Sequence, residues 1–131
     1  MSRNATVRAG TPADHLDVMR ILDGAMLDVD AETVRSRLER SPAAVLVAEC
    51  DAVVGALVLD GTHVDAVAVR RSRRGRGVGT ALVEAAAARV DGALTADFDP
   101  RVSAFYESVG FEIAARDGRL WGTYERGGAD S

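Results

Sequence analysis

Apolar residues recur along the chain with two spacings, every second position and every third or fourth, and the switches between them divide it into elements. Residues 5–9 alternate as a short strand that stops at Gly10-Thr11-Pro12, where Thr11 is placed to cap a helix begun by Pro12. Leu16, Met19, Ile21, Leu22 and Met26 give that helix an apolar face. Asp30 is placed to cap a second helix over 31–40, short and polar, with Val34 and Leu38 turned inward and Ser41-Pro42 ending it. Two β-rich runs follow at 44–48 and 53–59, and the residues between them, Glu49-Cys50-Asp51-Ala52, predict a hairpin turn. A third run at 63–69 completes an antiparallel meander.

Beyond a glycine-rich stretch, residues 80–90 are dense in helix formers and bounded by Asp91-Gly92. Residues 93–98 read as a strand, Asp99-Pro100 opens a further helix through Ser108, and Gly110 ends it. Strands at 111–115 and 120–124 pair as a hairpin through Asp117-Gly118. No repeat, linker or low-complexity block interrupts this order, so residues 1–126 predict one domain and 127–131 a frayed tail. A chain of 131 residues is long enough to bury one core.

Composition narrows the function classes. Apolar residues make up 47% of the chain, too rich for disorder, and no apolar run nears the roughly 20 residues that span a bilayer. The first residues lack the apolar stretch and cleavage site of a signal peptide, which makes the cytoplasm the expected location. The net charge is -4 and all 16 basic residues are arginines, a balance that speaks against nucleic-acid binding. Cys50 is the only cysteine, and His15 and His63 stand far apart, so neither an internal disulfide nor a metal site is expected.

The stretch Arg74-Gly75-Arg76-Gly77-Val78-Gly79-Thr80 lies between the 63–69 strand and the 80–90 helix. Glycines remove side chains where a backbone must approach a phosphate, and a helix's first N–H groups and positive dipole end favour an anion. A turn that needs positive φ yields the same composition. The nucleoside-triphosphate loop requires Gly-Lys-Ser/Thr, which a chain without lysine cannot supply. The dinucleotide fingerprint lacks its third small residue at the right distance unless Thr80 substitutes, and an antiparallel meander is the wrong context for it.

Arg74-x-x-Gly77-x-Gly79, following an apolar strand that ends Val67-Ala68-Val69, resembles the Arg/Gln-x-x-Gly-x-Gly/Ala signature of the GNAT superfamily of acyl-coenzyme A-dependent N-acyltransferases. Phe105-Tyr106-Glu107-Ser108-Val109-Gly110-Phe111 is similar to that family's Phe/Leu-Tyr-Glu-x-x-Gly-Phe segment, in the right order and at the expected distance. The resemblance implies an α/β fold with a mixed, mostly antiparallel sheet of six or seven strands and helices on both faces. It also implies acetyl-CoA as cosubstrate, with the backbone of Val67, Ala68 and Val69 pairing with the pantetheine arm. The amides from Gly75 through Gly77, Val78 and Gly79 to Thr80, with Arg74 and Arg76 beside them, are then implied to hold the pyrophosphate. The strand carrying Val69 is implied to splay from the 93–98 strand. Asp99 stands where many relatives carry an asparagine that contacts the cofactor. Tyr106 matches the family tyrosine that protonates the departing thiolate, although an aromatic pair such as Phe105-Tyr106 also suits a packed core.

No glutamate stands on the central strand to act as general base. Strand alternation puts His63 and Asp65 on one face with Val67 and Val69, where either can act on the acceptor amine through water, and a solvated strand end would carry the same residues. The expected reaction is direct transfer of an acetyl group to a primary amine of a small molecule, an amino acid or a protein terminus. It involves no membrane and is compatible with a homodimer. A non-catalytic acyl-CoA-binding or regulatory module is the alternative.

Overall fold

The computed structural model describes residues 5–24, 30–40, 44–75 and 77–125. Its strands are β1 (Thr6–Ala9), β2 (Val45–Cys50), β3 (Ala52–Asp60), β4 (His63–Val69), β5 (Leu94–Phe98), β6 (Glu112–Arg116) and β7 (Arg119–Tyr124). The α-helices are α1 (His15–Gly24), α2 (Ala31–Arg40), α3 (Val78–Arg89) and α4 (Ser103–Ser108). One sheet holds all seven strands in the order β1-β2-β3-β4-β5-β7-β6. Every neighbouring pair is antiparallel except β4 with β5.

The central strands are buried on both faces, which is why β3 is a continuous apolar run rather than an alternating one. Along β3, Val53, Ala56 and Val58 enter one core with Val18, Ile21 and Leu22 of α1 and Val34 and Leu38 of α2. Val54, Leu57 and Leu59 enter the other, beneath Leu82, Val83 and Ala86 of α3 and Tyr106 of α4. Helices therefore cover both faces of a mostly antiparallel sheet, as the family resemblance implies. Among the described residues no helix is long and apolar enough to cross a membrane.

Several local expectations give way to tertiary context. Val18 takes the inward position on α1 while Leu16 is 60% exposed, so the apolar stripe is rotated from the predicted one. Met26, Ser41 and Pro42 lie outside the described residues. Glu49 and Cys50 do not turn but pair with Val53 and Ala52, across a register shift at Ala48/Glu49, and the chain reverses at Asp51 with φ of 67°. Residues Pro12–Asp14 and Pro100–Val102 are 3₁₀ turns that lead into α1 and α4. α3 begins at Val78, two residues before the expected start at Thr80.

Thr11 is the N-cap of the Pro12–Asp14 turn, in a capping box with Asp14. The Asp14 carboxylate accepts from the Thr11 N–H at 2.8 Å and from its hydroxyl at 3.2 Å. The same carboxylate takes two bonds from Arg8 of β1, at 2.8 and 3.0 Å. Arg8, then Thr11, hold this nearly buried carboxyl below the usual carboxylate range. Asp14→Ala removes those four bonds, leaves Arg8 with Glu49 at 3.0 Å and should cost about 1–3 kcal/mol in urea denaturation. Because the folded pKa is depressed, the wild-type advantage should be complete above the unfolded value of about 4 and be lost as pH falls from there through the lower folded value. An advantage that does not decline with pH below about 4 would show that the carboxylate charge is not its source.

Candidate active site

The parallel contact between β4 and β5 is a single bridge, His63 with Thr95, supported by the Thr95 N–H donating to the Thr62 carbonyl at 3.0 Å. Beyond it the strands part. The Arg70 N–H donates to the Val54 carbonyl at 2.7 Å, marking Arg70 and Val54 as a hydrogen-bonded pair. Antiparallel alternation then commits the Ala68 backbone to Ala56 and turns the N–H and C=O groups of Val67 and Val69 away from β3, into the wedge. Of the three residues expected to offer backbone groups there, Ala68 is thus already engaged. The Val69 carbonyl accepts from the Arg74 Nε at 3.1 Å.

A cavity of about 870 Å³ fills the wedge, walled by β4, β5, the glycine-rich turn and α4. The Ala81 N–H makes the first helical bond of α3, to the Gly77 carbonyl at 3.0 Å, so the N–H groups of Val78, Gly79 and Thr80 precede any helical acceptor. Gly77 caps the helix at φ of +82°, and a Cβ built on it meets nothing within 4 Å. An open, left-handed turn at a helix N-terminus beside a cavity suits a phosphate. Gly79 answers to a different demand, because its Cβ would stand 2.9 Å from the Phe105 ring and push α3 off α4. Arg73 and Arg74 line the cavity near the turn, and Arg76 lies outside the described residues. Asp99 also lines it, with its carboxylate accepting from the Arg101 N–H at 2.9 Å as the cap of the 3₁₀ turn.

Tyr106 lies on the α4 wall of the cavity. Its ring stacks on Phe98 at 4.1 Å and meets Phe105 and Phe111 edge-on at 5.4 and 5.2 Å. Burial, then the charge of Asp97, pushes its hydroxyl up to about 12, so it is protonated throughout the physiological range. The Tyr106 ring thus packs in the core, and the residue also lines the cavity.

His63 and Asp65 do not share the face of Val67 and Val69. A register shift between Val58 and Leu59 leaves Asp65 as an extra residue in β4, and Val64 packs in the core with Val67 and Val69 instead. Asp65 pairs with Arg37 of α2 at 2.5 Å and lines the cavity. His63 turns toward β5, where its Nδ1 lies 2.8 Å from the Thr95 hydroxyl and its Nε2 lies 3.0 Å from the Asp97 carboxylate. Asp97, rather than His63, lines the cavity. Burial works to raise the Asp97 carboxyl, but bonds from His63 and from Arg119 at 3.0 Å outweigh it and hold the group below its usual range. Trp121 completes this cluster, its ring 5.5 Å from that of His63. Asp97, Arg119 and Trp121 were not legible as site residues, since the parallel pairing of β4 and β5 and the pairing of β7 with β5 alone bring them to His63. The one signal was the charged residue, Asp97, in the predicted 93–98 strand.

The acetyltransferase (GNAT) domain family matches residues 41–113. The peptidyl-lysine N-acetyltransferase YjaB of Escherichia coli is 37% identical over 87 residues, which cover 65% of this chain and 59% of that protein. The matched region thus spans less than two-thirds of that relative. The solution structure of apo-form YjaB from Escherichia coli superposes with a TM-score of 0.69 at 25% identity, covering 95% of this chain and 99% of that one. The structure of yncA from Salmonella typhimurium, solved with its cofactor acetyl-CoA, shares the fold with a TM-score of 0.72 at 20% identity, over 95% of this chain and 94% of that one. With the family match spanning both the glycine-rich turn and Tyr106, and a seven-stranded sheet parting between β4 and β5 to hold them, the chain belongs to the acetyltransferase (GNAT) family.

Proposed function

We propose that the protein is an N-acetyltransferase that moves an acetyl group from acetyl-CoA to a primary amine, the ε-amino group of a peptide lysine being the acceptor suggested by the relative YjaB. The observation that carries this reading is the wedge itself: outward backbone groups on Val67 and Val69, an anion-ready helix N-terminus at one end and Tyr106 on the wall. Bound acetyl-CoA supplies the activated acyl group. In this reading the N–H groups of Val78, Gly79 and Thr80 hold the pyrophosphate, and an N–H of Val67 or Val69 meets the oxygen that gains charge as the amine attacks. Tyr106 gives its proton to the sulfur that leaves. Asp97, held ionised by His63 and Arg119, and Asp65 receive the acceptor's ammonium from the side of the sheet opposite α4; one ammonium proton passes to solvent to free the attacking lone pair, and the second, released as the amide forms, restores Tyr106 through solvent. His63 acts through Asp97, as its positioning residue. The cytoplasmic setting expected from composition belongs to the same proposal.

Acetyl-CoA at about 100 times its dissociation constant should raise unfolding free energy by roughly 2.7 kcal/mol, visible as a higher Tm. A flat melting curve would remove the cofactor assignment. Thiol release with a lysine-containing peptide then separates an enzyme from a binding module: a shifted Tm without release on any amine of a panel would favour the module.

A further inference from the structure

β6 ends the strand order, so one side of it is open among the described residues. Edge strands are commonly guarded by a bulge, a proline or charges that repel a second copy. β6 has none of these: Glu-Ile-Ala-Ala-Arg pairs with β7 without a register shift, and Glu112, Ala114, Ala115 and Arg116 are all exposed. The connecting turn has φ of 51° at Asp117 and 81° at Gly118, a type I′ geometry that closes with a hydrogen bond between Arg116 and Arg119. Alternation from that pair commits the backbone of Ala114 and Glu112 to β7. The N–H and C=O groups of Ile113 and Ala115 therefore face outward, unpaired by the sheet.

We infer that this edge joins two copies of the chain, β6 against β6 in antiparallel pairing, into one continuous sheet. A two-fold axis through Ala114 sets Ile113 of one copy against Ala115 of the other, so the outward groups satisfy each other. The same register sets Glu112 of each copy opposite Arg116 of its partner, giving two ion pairs on one face. Sliding the strands by two residues either way keeps the backbone bonds but loses both pairs, which fixes the register. Among the described residues neither Glu112 nor Arg116 has an ion pair within its own chain. Arg116 also lies over the Trp121 ring at 4.6 Å, which keeps its guanidinium on the face that Glu112 shares. An interface of this size belongs to the weaker, concentration-dependent class.

Sedimentation velocity of the full chain from low to high micromolar concentration should show a passage from one to two chains that high salt reverses. Glu112→Arg and Arg116→Glu each replace both attractions by repulsions and should weaken association about 10-fold or more. An equimolar mixture of the two variants should associate again, because each supplies the charge the other lacks. Ala115→Pro tests the backbone independently of charge, since it removes an outward donor and spares the β7 ladder, and it should also weaken association. A wild type that stays monomeric throughout overturns the inference. So does a dimer that ignores all three substitutions, or a mixture that fails to associate.

Discussion

With phenylalanine in place of Tyr106, single-turnover acetyl transfer should slow by about 10²- to 10⁴-fold while acetyl-CoA still binds and the protein still folds. The separation follows from what the substitution keeps. The stack on Phe98 and the edge contacts to Phe105 and Phe111 belong to the ring, and phenylalanine preserves them. What is lost is a hydroxyl pushed up to about 12, which holds its proton at every working pH and can deliver it to the leaving sulfur. For the same reason, wild-type activity should show no alkaline decline from this residue until pH approaches 12. The measurement needs an amine already shown to be a substrate and single-turnover conditions, because thiolate release need not limit steady-state turnover. An unchanged rate would take Tyr106 out of the chemistry. Loss of folding or of cofactor binding would assign it to the core alone.

Gly77→Val should lower acetyl-CoA affinity by about 100-fold or more and abolish the ligand-induced rise in Tm, since the proposed pyrophosphate site would lose at least two charge-assisted backbone bonds from that turn. The free protein should suffer far less. A Cβ at Gly77 meets nothing within 4 Å, so the cost there is the left-handed backbone at φ of +82°, roughly 1–2 kcal/mol. Isothermal titration alongside melting curves would read both effects. Unchanged affinity with a lowered Tm would reduce the stretch from Arg74 to Thr80 to a structural turn.

The β2–β4 meander, the β6–β7 hairpin and the approximate helix positions were legible because spacing carries them: the switch from β4 to a glycine-rich turn to alanine-rich α3 is written in adjacent residues. Gly79 was legible only in part. Sequence gave it the same role as Gly77, yet its missing side chain makes room for Phe105, a residue far along the chain. The acceptor side was not legible, and the reason is one residue. Alternation assumes an unbroken strand, whereas the extra residue at Asp65 reverses the facing of everything before it. His63 therefore meets Asp97 rather than the cavity, and a bulge of this kind leaves no mark in apolar spacing. Leu16 failed for a related reason: helix periodicity fixes which residues share a stripe but not the angle at which the stripe meets a sheet.

The lone bridge between His63 and Thr95 makes the sheet two plates joined at a corner. Across the rest of that seam, in-plane rigidity falls to side chains, chiefly the packing beneath α3 and α4. A seam held by one bridge resists the opening and closing of the wedge less than the full ladders on either side resist being parted. A molecule that bonds to the rim at Val67 and Val69 works as a splint. It damps that one motion and leaves the interior of each plate unchanged, so the hinge amplitude becomes a physical record of whether the seam is filled.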